Sequence, residues 1–527
     1  MPLSRRDLIK AGVFVGAAVT VPLSRVVSGQ SLVESRMPAS KLPKPFTTPF
    51  AIPPVAVPVR SDATTDFYSM SMTATKIEVI PGFQTTFFAY NGVVPGPTIK
   101  VDQGREVVVR HRNSLPNVHP TLGYKPWTSV HLHGNASLPE FDGYASDVTN
   151  PGQFKDYRFP NFQPARTIWY HDHGVDHTAE NVYFGLAAEY LRSDPLEQSL
   201  PIPHGAYDIP LIIGDAMFTN DGSLLFSLED ESGFWGDVIL VNGRPWPVMQ
   251  VERRKYRFRI LLPTVSRSLR LSLDSGEPLA VVATDGGLMP TPQFVSSLRM
   301  GAAERYEVII DFSKYPVGRR VILKNSSPNN NRDFTNTDKV MAFDVVSEAT
   351  DLSDNSIPDA LNPDNPVMAL QAKDAVRTRR MEFKRDGGKW TINGTGWDDV
   401  VRSNFQFTLA NPRRGDVEIW QLENSSGGWF HPVHIHLTDF KVLDRNGRAP
   451  FAYEGGPKDV VYVGEGDKVR VIMKWDGSGK YMFHCHNLVH EDHDMMSQFD
   501  VIDPQSPGHD PRGTPALDLS QEASHPL

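Results

Sequence analysis

The chain has 527 residues and a formal net charge of -9, with one cysteine, 40 glycines, 43 prolines and 10% aromatic residues. The mild negative balance, without a basic block, excludes nucleic acid as a partner, and a lone cysteine excludes an internal disulfide. The length allows about two to four domains, and abundant turn residues with almost no long helical periodicity point to an all-β protein.

The N-terminal stretch "SRRDLIKAGVFVGAAVTVPL" sets Arg5-Arg6 before an apolar run from Ala11 to Leu23. That run is too short to cross a bilayer comfortably and suits the core of a signal peptide. The paired arginines resemble a Tat export signal. Residues 1–30 are therefore expected to be a Tat-type signal, with the Tat machinery as a partner. The product is expected in the periplasm, at the cell surface or outside the cell, with no stable membrane anchor after cleavage.

A Pro-rich arm follows at 31–44. Beyond it, one pattern recurs: "GPTIKVDQGREVVVRHRN" (96–113), "WPVMQVERRKYRFRILLP" (246–263) and "FTLANPRRGDVEIWQLEN" (407–424). Each has an extended start, a turn rich in Gly or Arg, and then alternating apolar and charged residues. In the second, Tyr256, Phe258 and Ile260 alternate with Lys255, Arg257 and Arg259, the period of a half-buried strand. The spacing predicts three related β-sandwich domains at 45–200, 201–350 and 375–505. Residues 351–374, polar and rich in Asp, Asn and Pro, read as a linker. The tail, 506–527, is expected to be loosely ordered.

Ten of the 17 histidines fall in four clusters: "HLHG" (131–134), "YHDHG" (170–174), "HPVHIHL" (431–437) and "HCHNLVH" (484–490). Each contains His-x-His on an expected strand, which sets both imidazoles on one face. Two clusters lie in the first domain, two in the third and none in the middle one. Structural zinc prefers closed sets rich in cysteine. Eight imidazoles from two domains suit instead a multinuclear centre where the first and third meet.

The only cysteine lies in "YMFHCHNLVHEDHDMM" (481–496). On a strand, His484 and His486 face one side and Cys485 the other. A buried cysteine is also an ordinary small apolar residue, but Cys, His and Met together form the soft ligand set that copper prefers. The arrangement predicts two metal sites back to back, joined through the Cys485 backbone.

From "NGVVPGPTIKVDQG" through "ILVNGRPWPVMQVERRKYRFRIL" and "HPVHIHLTDFKVLDRNG" to "KDVVYVGEGDKVRVIMKW", the chain resembles the multicopper oxidases, most closely bacterial spore-coat laccases and bilirubin oxidases. The resemblance is densest in the cysteine segment. It implies three cupredoxin-like Greek-key β-sandwiches and four coppers per chain. Type 1 copper would take His431, Cys485, His490 and axial Met495; type 2 copper would take His131 and His434. Type 3 coppers would take His133, His171, His173, His436, His484 and His486. It also implies Glu491 as a proton relay and Asp142 as the carboxylate near type 2 copper. The competing readings are a loop salt bridge for Glu491 and an Asp-Gly turn for Asp142.

Trp429 reads equally as an edge of the type 1 pocket or as core. His177 and His493 read as supporting residues, whereas His111, His119, His204, His509 and His525 have no case as ligands. The implied activity is one-electron oxidation of a phenol, aminophenol or tetrapyrrole, coupled to reduction of O₂ to water. Three rivals stand beside it. A cuprous or manganous ion oxidase would want a Met-rich insert or a carboxylate cluster. The others are a copper-free exported relative and an electron-transfer cupredoxin lacking the trinuclear site.

Overall fold

Each of the three repeated stretches crosses from one sheet to its facing sheet at the turn. The computed structural model describes residues 36–227, 230–329, 331–506 and 510–527; the expected signal peptide, part of the arm and His509 lie outside them. In the first repeat, Ile99–Asp102 runs parallel to Ala187–Ser193. After a turn at Gly104, where φ is +80°, Glu106–Asn113 runs parallel to Thr65–Ile77 in the other sheet. In the second, Pro247–Arg253 is parallel to Lys339–Glu348 and Lys255–Leu261 to Asp208–Ala216. In the third, Ala410 and Arg413 bridge in parallel to Phe499 and Ile502, and Val417–Asn424 is parallel to Arg377–Asp386. The same crossing made three times gives three cupredoxin-like β-sandwiches.

Alternation explains the strands well where one face meets solvent. Ile99–Asp102 alternates buried and exposed residues along its length, as a half-covered sheet requires. Lys255–Leu261 departs from that expectation, because Arg257 and Arg259 are buried as well as the apolar residues between them. Their outward face lies against the first domain, where Arg259 meets Glu197 at 2.8 Å, while within the middle domain Arg257 Nε meets Glu307 and Arg259 meets Asp208, each at 2.8 Å. Paired guanidinium groups can be buried where lone ones cannot.

The described residues are tied down near both of their ends. Thr48–Pro49 pairs in parallel with Pro247 and Val248, and Arg60–Ser61 pairs with Asp66 and Phe67, so the stretch that follows the arm laces the middle sandwich to the first. From residue 510 onward the tail is not loosely ordered. Leu517–Asp518 adds to the sheet edge at Gln153 and Phe154, and Arg110 and Arg112 grip Glu522. Charge complementarity and an open strand edge hold a segment whose composition alone reads as mobile. Within the linker, Leu361 and Asn362 donate to the carbonyls of Pro290 and Met289 at 3.0 Å. No helix among the described residues is long and apolar enough to cross a membrane.

Two paired strands of the first domain, Val130–His133 and Arg166–Asp172, meet two paired strands of the third, His431–Ile435 and Gly479–Cys485. Two short helices, Thr178–Tyr183 and Leu488–Asp492, close the junction: Asp492 accepts the Thr178 and Ala179 N–H groups at 3.1 and 2.8 Å.

Candidate metal centres

Strand pairing sets the histidines in register. His131 lies directly opposite His171, and His434 directly opposite His484. Across the boundary between domains, the rings of His133 and His434 stack at 3.7 Å and those of His131 and His436 at 4.0 Å. His486 joins His133 and His171 at 5.1 and 5.4 Å between ring centres. The Nε2 atom of His484 lies 3.1 Å from that of His173 and 3.2 Å from that of His436. All eight are buried.

One nitrogen of most rings is anchored, and the other is left bare. His171 Nδ1 donates to the Asp172 carbonyl at 2.7 Å and His434 Nδ1 to the Asp459 carbonyl at 2.8 Å. His131 Nδ1 donates to the Asp142 carbonyl, and His133 Nε2 to Asp459 Oδ1 at 3.1 Å. Opposite these anchors, His131 Nε2, His133 Nδ1, His171 Nε2 and His434 Nε2 have no hydrogen-bond partner; nor does either nitrogen of His486. A buried polar atom without a partner costs about 1–3 kcal/mol. So many converging on one spot fit metal ligation and little else. Burial pushes the imidazoles down, His173 to about 4 and His131, His133, His171, His434, His436 and His486 well below their ordinary value. Neutral rings are the form that binds metal.

Behind this cluster stands a second group. His431 Nδ1 and His490 Nδ1 lie 3.3 and 3.6 Å from Cys485 Sγ and 3.2 Å from each other. His490 Nε2 donates to the Ser232 carbonyl at 2.9 Å, which turns the bare Nδ1 toward the sulfur. Burial pushes the Cys485 thiol well up, so a thiolate persists there only beside a cation. Met495 packs in the same apolar cluster as Cys485, whereas Met496 packs with Tyr144 and Trp397. The donor set of two imidazoles, one thiolate and a thioether is that of a blue copper site. His484 and His486 turn to one side and Cys485 to the other, as strand alternation predicts.

The two expected carboxylates lie against the eight-histidine cluster. Asp142 Oδ2 accepts from His436 Nδ1 at 2.7 Å. Burial raises its carboxyl well above the ordinary range. It also begins a turn: Gly143, at φ +76°, leaves no room for a Cβ beside the His131 backbone. Glu491 Oε2 lies 3.1 Å from His484 Nδ1, and its Oε1 lies 3.2 Å from Thr178 Oγ1 and 3.5 Å from His173 Nδ1. Burial pushes that carboxyl up, but His484 and His173 beside it hold it below the usual value.

Trp429 is half-buried, with its ring 6.4 Å from that of His490. His177 stacks on Tyr124 at 3.9 Å, and His493 Nδ1 donates to the Val489 carbonyl at 2.7 Å. His111 and His119 are packed among aromatic rings. His204 Nε2 donates to the Leu200 carbonyl at 3.0 Å, and His525 lies in the tail helix Leu519–Ser524 at its C-cap.

Sequence reasoning missed three residues. Trp390 stacks on His490 at 3.8 Å. Asp459 orients both His133 and His434, and Arg305 from the middle domain holds Asp459. Asp459 lies in a quoted motif, "KDVVYVGEGDKVRVIMKW", where its position just before a buried strand was the available signal. Nothing local marks Trp390 or Arg305.

Family profiles described as multicopper oxidase match residues 71–189, 213–345 and 361–505. A bilirubin oxidase of Albifimbria verrucaria is 42% identical over 86% of this chain and 81% of its own length. A laccase of Bacillus stratosphericus is 35% identical over 87% of this chain and 99% of its own. Among solved structures, a laccase from Pediococcus acidilactici superposes with a TM-score of 0.78 at 28% identity, covering 89% of this chain and 96% of that one. The first and third matched stretches hold every histidine and the cysteine of the two centres, and the chain belongs to the multicopper oxidase family, copper-dependent oxidoreductases that use O₂.

Proposed function

We propose that the protein oxidises electron-rich aromatic donors, namely phenols, aminophenols or tetrapyrroles, at the His431–Cys485–His490–Met495 site. His131 and His434 would hold type 2 copper, and His133, His171, His173, His436, His484 and His486 the type 3 pair. Bound there, copper supplies one-electron oxidation of the donor and four-electron reduction of O₂ to water. The observation that carries the reading is the division of one strand: the Cys485 sulfur on one face, and on the other the rings of its two neighbours. The Cys485 backbone is the covalent link between the two centres. Asp142, whose carboxyl burial raises, would hold a proton beside the buried cluster, and Glu491 would relay protons to it, where reducing O₂ to water consumes them.

The donor class is supported by relatives named bilirubin oxidase and laccase. Steady-state rates of copper-loaded protein with bilirubin, a dimethoxyphenol, an o-aminophenol, Cu(I) and Mn(II), under one condition, test it. Turnover of the organic donors well above that of the metal ions is expected; turnover of Cu(I) or Mn(II) alone would overturn it.

Arg5-Arg6 and the apolar run after it support Tat-dependent export. Replacing both arginines by lysine should strand the protein in the cytoplasm, and unchanged fractionation would remove the proposal.

A further inference from the structure

Beneath the arm, against the middle sandwich, lies a cavity of about 470 Å³ whose lining includes none of the expected copper ligands. Its roof is the stretch 38–45, fixed at both ends by the backbone. Met37 N donates to the Phe218 carbonyl at 2.7 Å, and Phe46 N to the Trp246 carbonyl at 2.8 Å. Between those anchors the chain arches over the cavity with Pro38, Pro43 and Pro45 in it, and the fixed φ of each proline stiffens the arch. The opposite wall, residues 333–336, is held as well, since Trp246 Nε1 donates to the Asn336 carbonyl at 3.1 Å. Small-molecule sites run from about 300 to 1,000 Å³, and this space falls among them.

One group in the lining lacks what its chemistry requires. Asp237 is buried, yet its Oδ1 has no hydrogen-bond partner. Its Oδ2 faces Arg36 Nε of the arm at 3.6 Å, too far for a hydrogen bond. Burial pushes this carboxyl up to about 6 in spite of Arg36, which leaves it ionised at neutral pH. Asp333, the other acid of the lining, is engaged by Arg267 Nη1 at 3.1 Å. The Arg36 guanidinium also lies over the Phe334 ring, 5.3 Å from its centre. A carboxylate beside an aromatic face recognises organic cations, and here an arginine of the chain itself fills that place loosely. Lys44 is exposed at the rim, where solvent and salt screen its charge.

We propose that this cavity binds a small organic cation, an ammonium or guanidinium group carrying an apolar body. The cationic group donates to Asp237 Oδ1 and takes the Phe334 face from Arg36, while the body lies against Leu42, Pro43 and Pro45. The site is separate from donor oxidation and does not rest on it.

Calorimetric titration of the copper-loaded protein with cyclohexylammonium tests this, at a pH well above the Asp237 value of about 6. The probe has no aromatic ring and is no donor for the oxidase. Saturable binding of one probe per chain is expected, with none for cyclohexanecarboxylate, which carries the same body and the opposite charge. Asp237→Asn keeps the size of the side chain and removes its charge, and should weaken binding at least about tenfold. Arg36→Ala removes the competing guanidinium and should tighten binding about threefold. No saturable binding of cyclohexylammonium to the wild type overturns the proposal. So does equal binding of the carboxylate, an Asp237→Asn variant that binds as the wild type does, or an Arg36→Ala variant that binds more weakly. If Asp237→Asn does not fold, the two probes and Arg36→Ala still decide.

Discussion

Arg305 of the middle domain grips Asp459 of the third with two hydrogen bonds, at 2.6 and 2.5 Å. Asp459 carries that constraint to the cluster, because the same carboxylate accepts from His133 at 3.1 Å and its carbonyl from His434 at 2.8 Å. A domain without a ligand histidine therefore sets the aim of two rings contributed by the other two domains.

Arg305→Ala leaves a buried carboxylate unpaired, which costs about 3–5 kcal/mol. The variant should unfold at lower temperature and lose copper from the eight-histidine cluster on dialysis, while keeping the colour of the Cys485 site. Calorimetry and electron paramagnetic resonance check this. Wild-type stability together with full copper retention would show that the grip has no such part.

Cys485→Ser should abolish the blue colour and donor oxidation while the eight-histidine cluster keeps its copper. A serine hydroxyl is hard and normally protonated, and does not replace a thiolate in a blue site. His484 and His486 project from the opposite face and do not depend on the sulfur. Loss of all copper would mean that the two centres are coupled through folding; retained blue absorbance would move the site elsewhere.

Glu491→Gln should keep copper content and colour but slow reoxidation of the reduced protein by O₂ by about 10²-fold or more, since a proton relay is lost without change of shape. Stopped-flow reoxidation matching wild type would remove Glu491 from the proton path.

Truncation after Ser506 removes the added strand at Leu517–Asp518 and the Glu522 contacts with Arg110 and Arg112. Both pairs involve the part-exposed Glu522 carboxylate and are worth about 1 kcal/mol or less each, so a drop of a few degrees in Tm with an unchanged visible spectrum is expected. An unchanged Tm would mean the docking adds no stability.

Part of the two centres was legible in the sequence because its geometry is local. The period of two along Gly479–Cys485 sets Cys485 on the face opposite His484 and His486, and each His-x-His places two imidazoles on one face, whereas His431, His490 and Met495 were named only through the family resemblance. The repeats at 96–113, 246–263 and 407–424 were legible for the same reason, since the sheet crossing is written in each turn. Arg257 and Arg259 were misread because the alternation of a strand says which face is apolar, not whether the other face meets water or a second domain. Arg305, Trp390 and Glu522 were invisible for a related reason: each acts on a partner at least tens of residues away in the chain, and only the assembled sandwiches bring them together.

Elemental analysis of the purified, copper-loaded protein, read with its visible spectrum, tests the central claim most directly. The bare nitrogens of the eight-histidine cluster and the His431–Cys485–His490 group predict four copper ions per chain and an intense blue colour. One copper per chain, or zinc in place of copper, would contradict it.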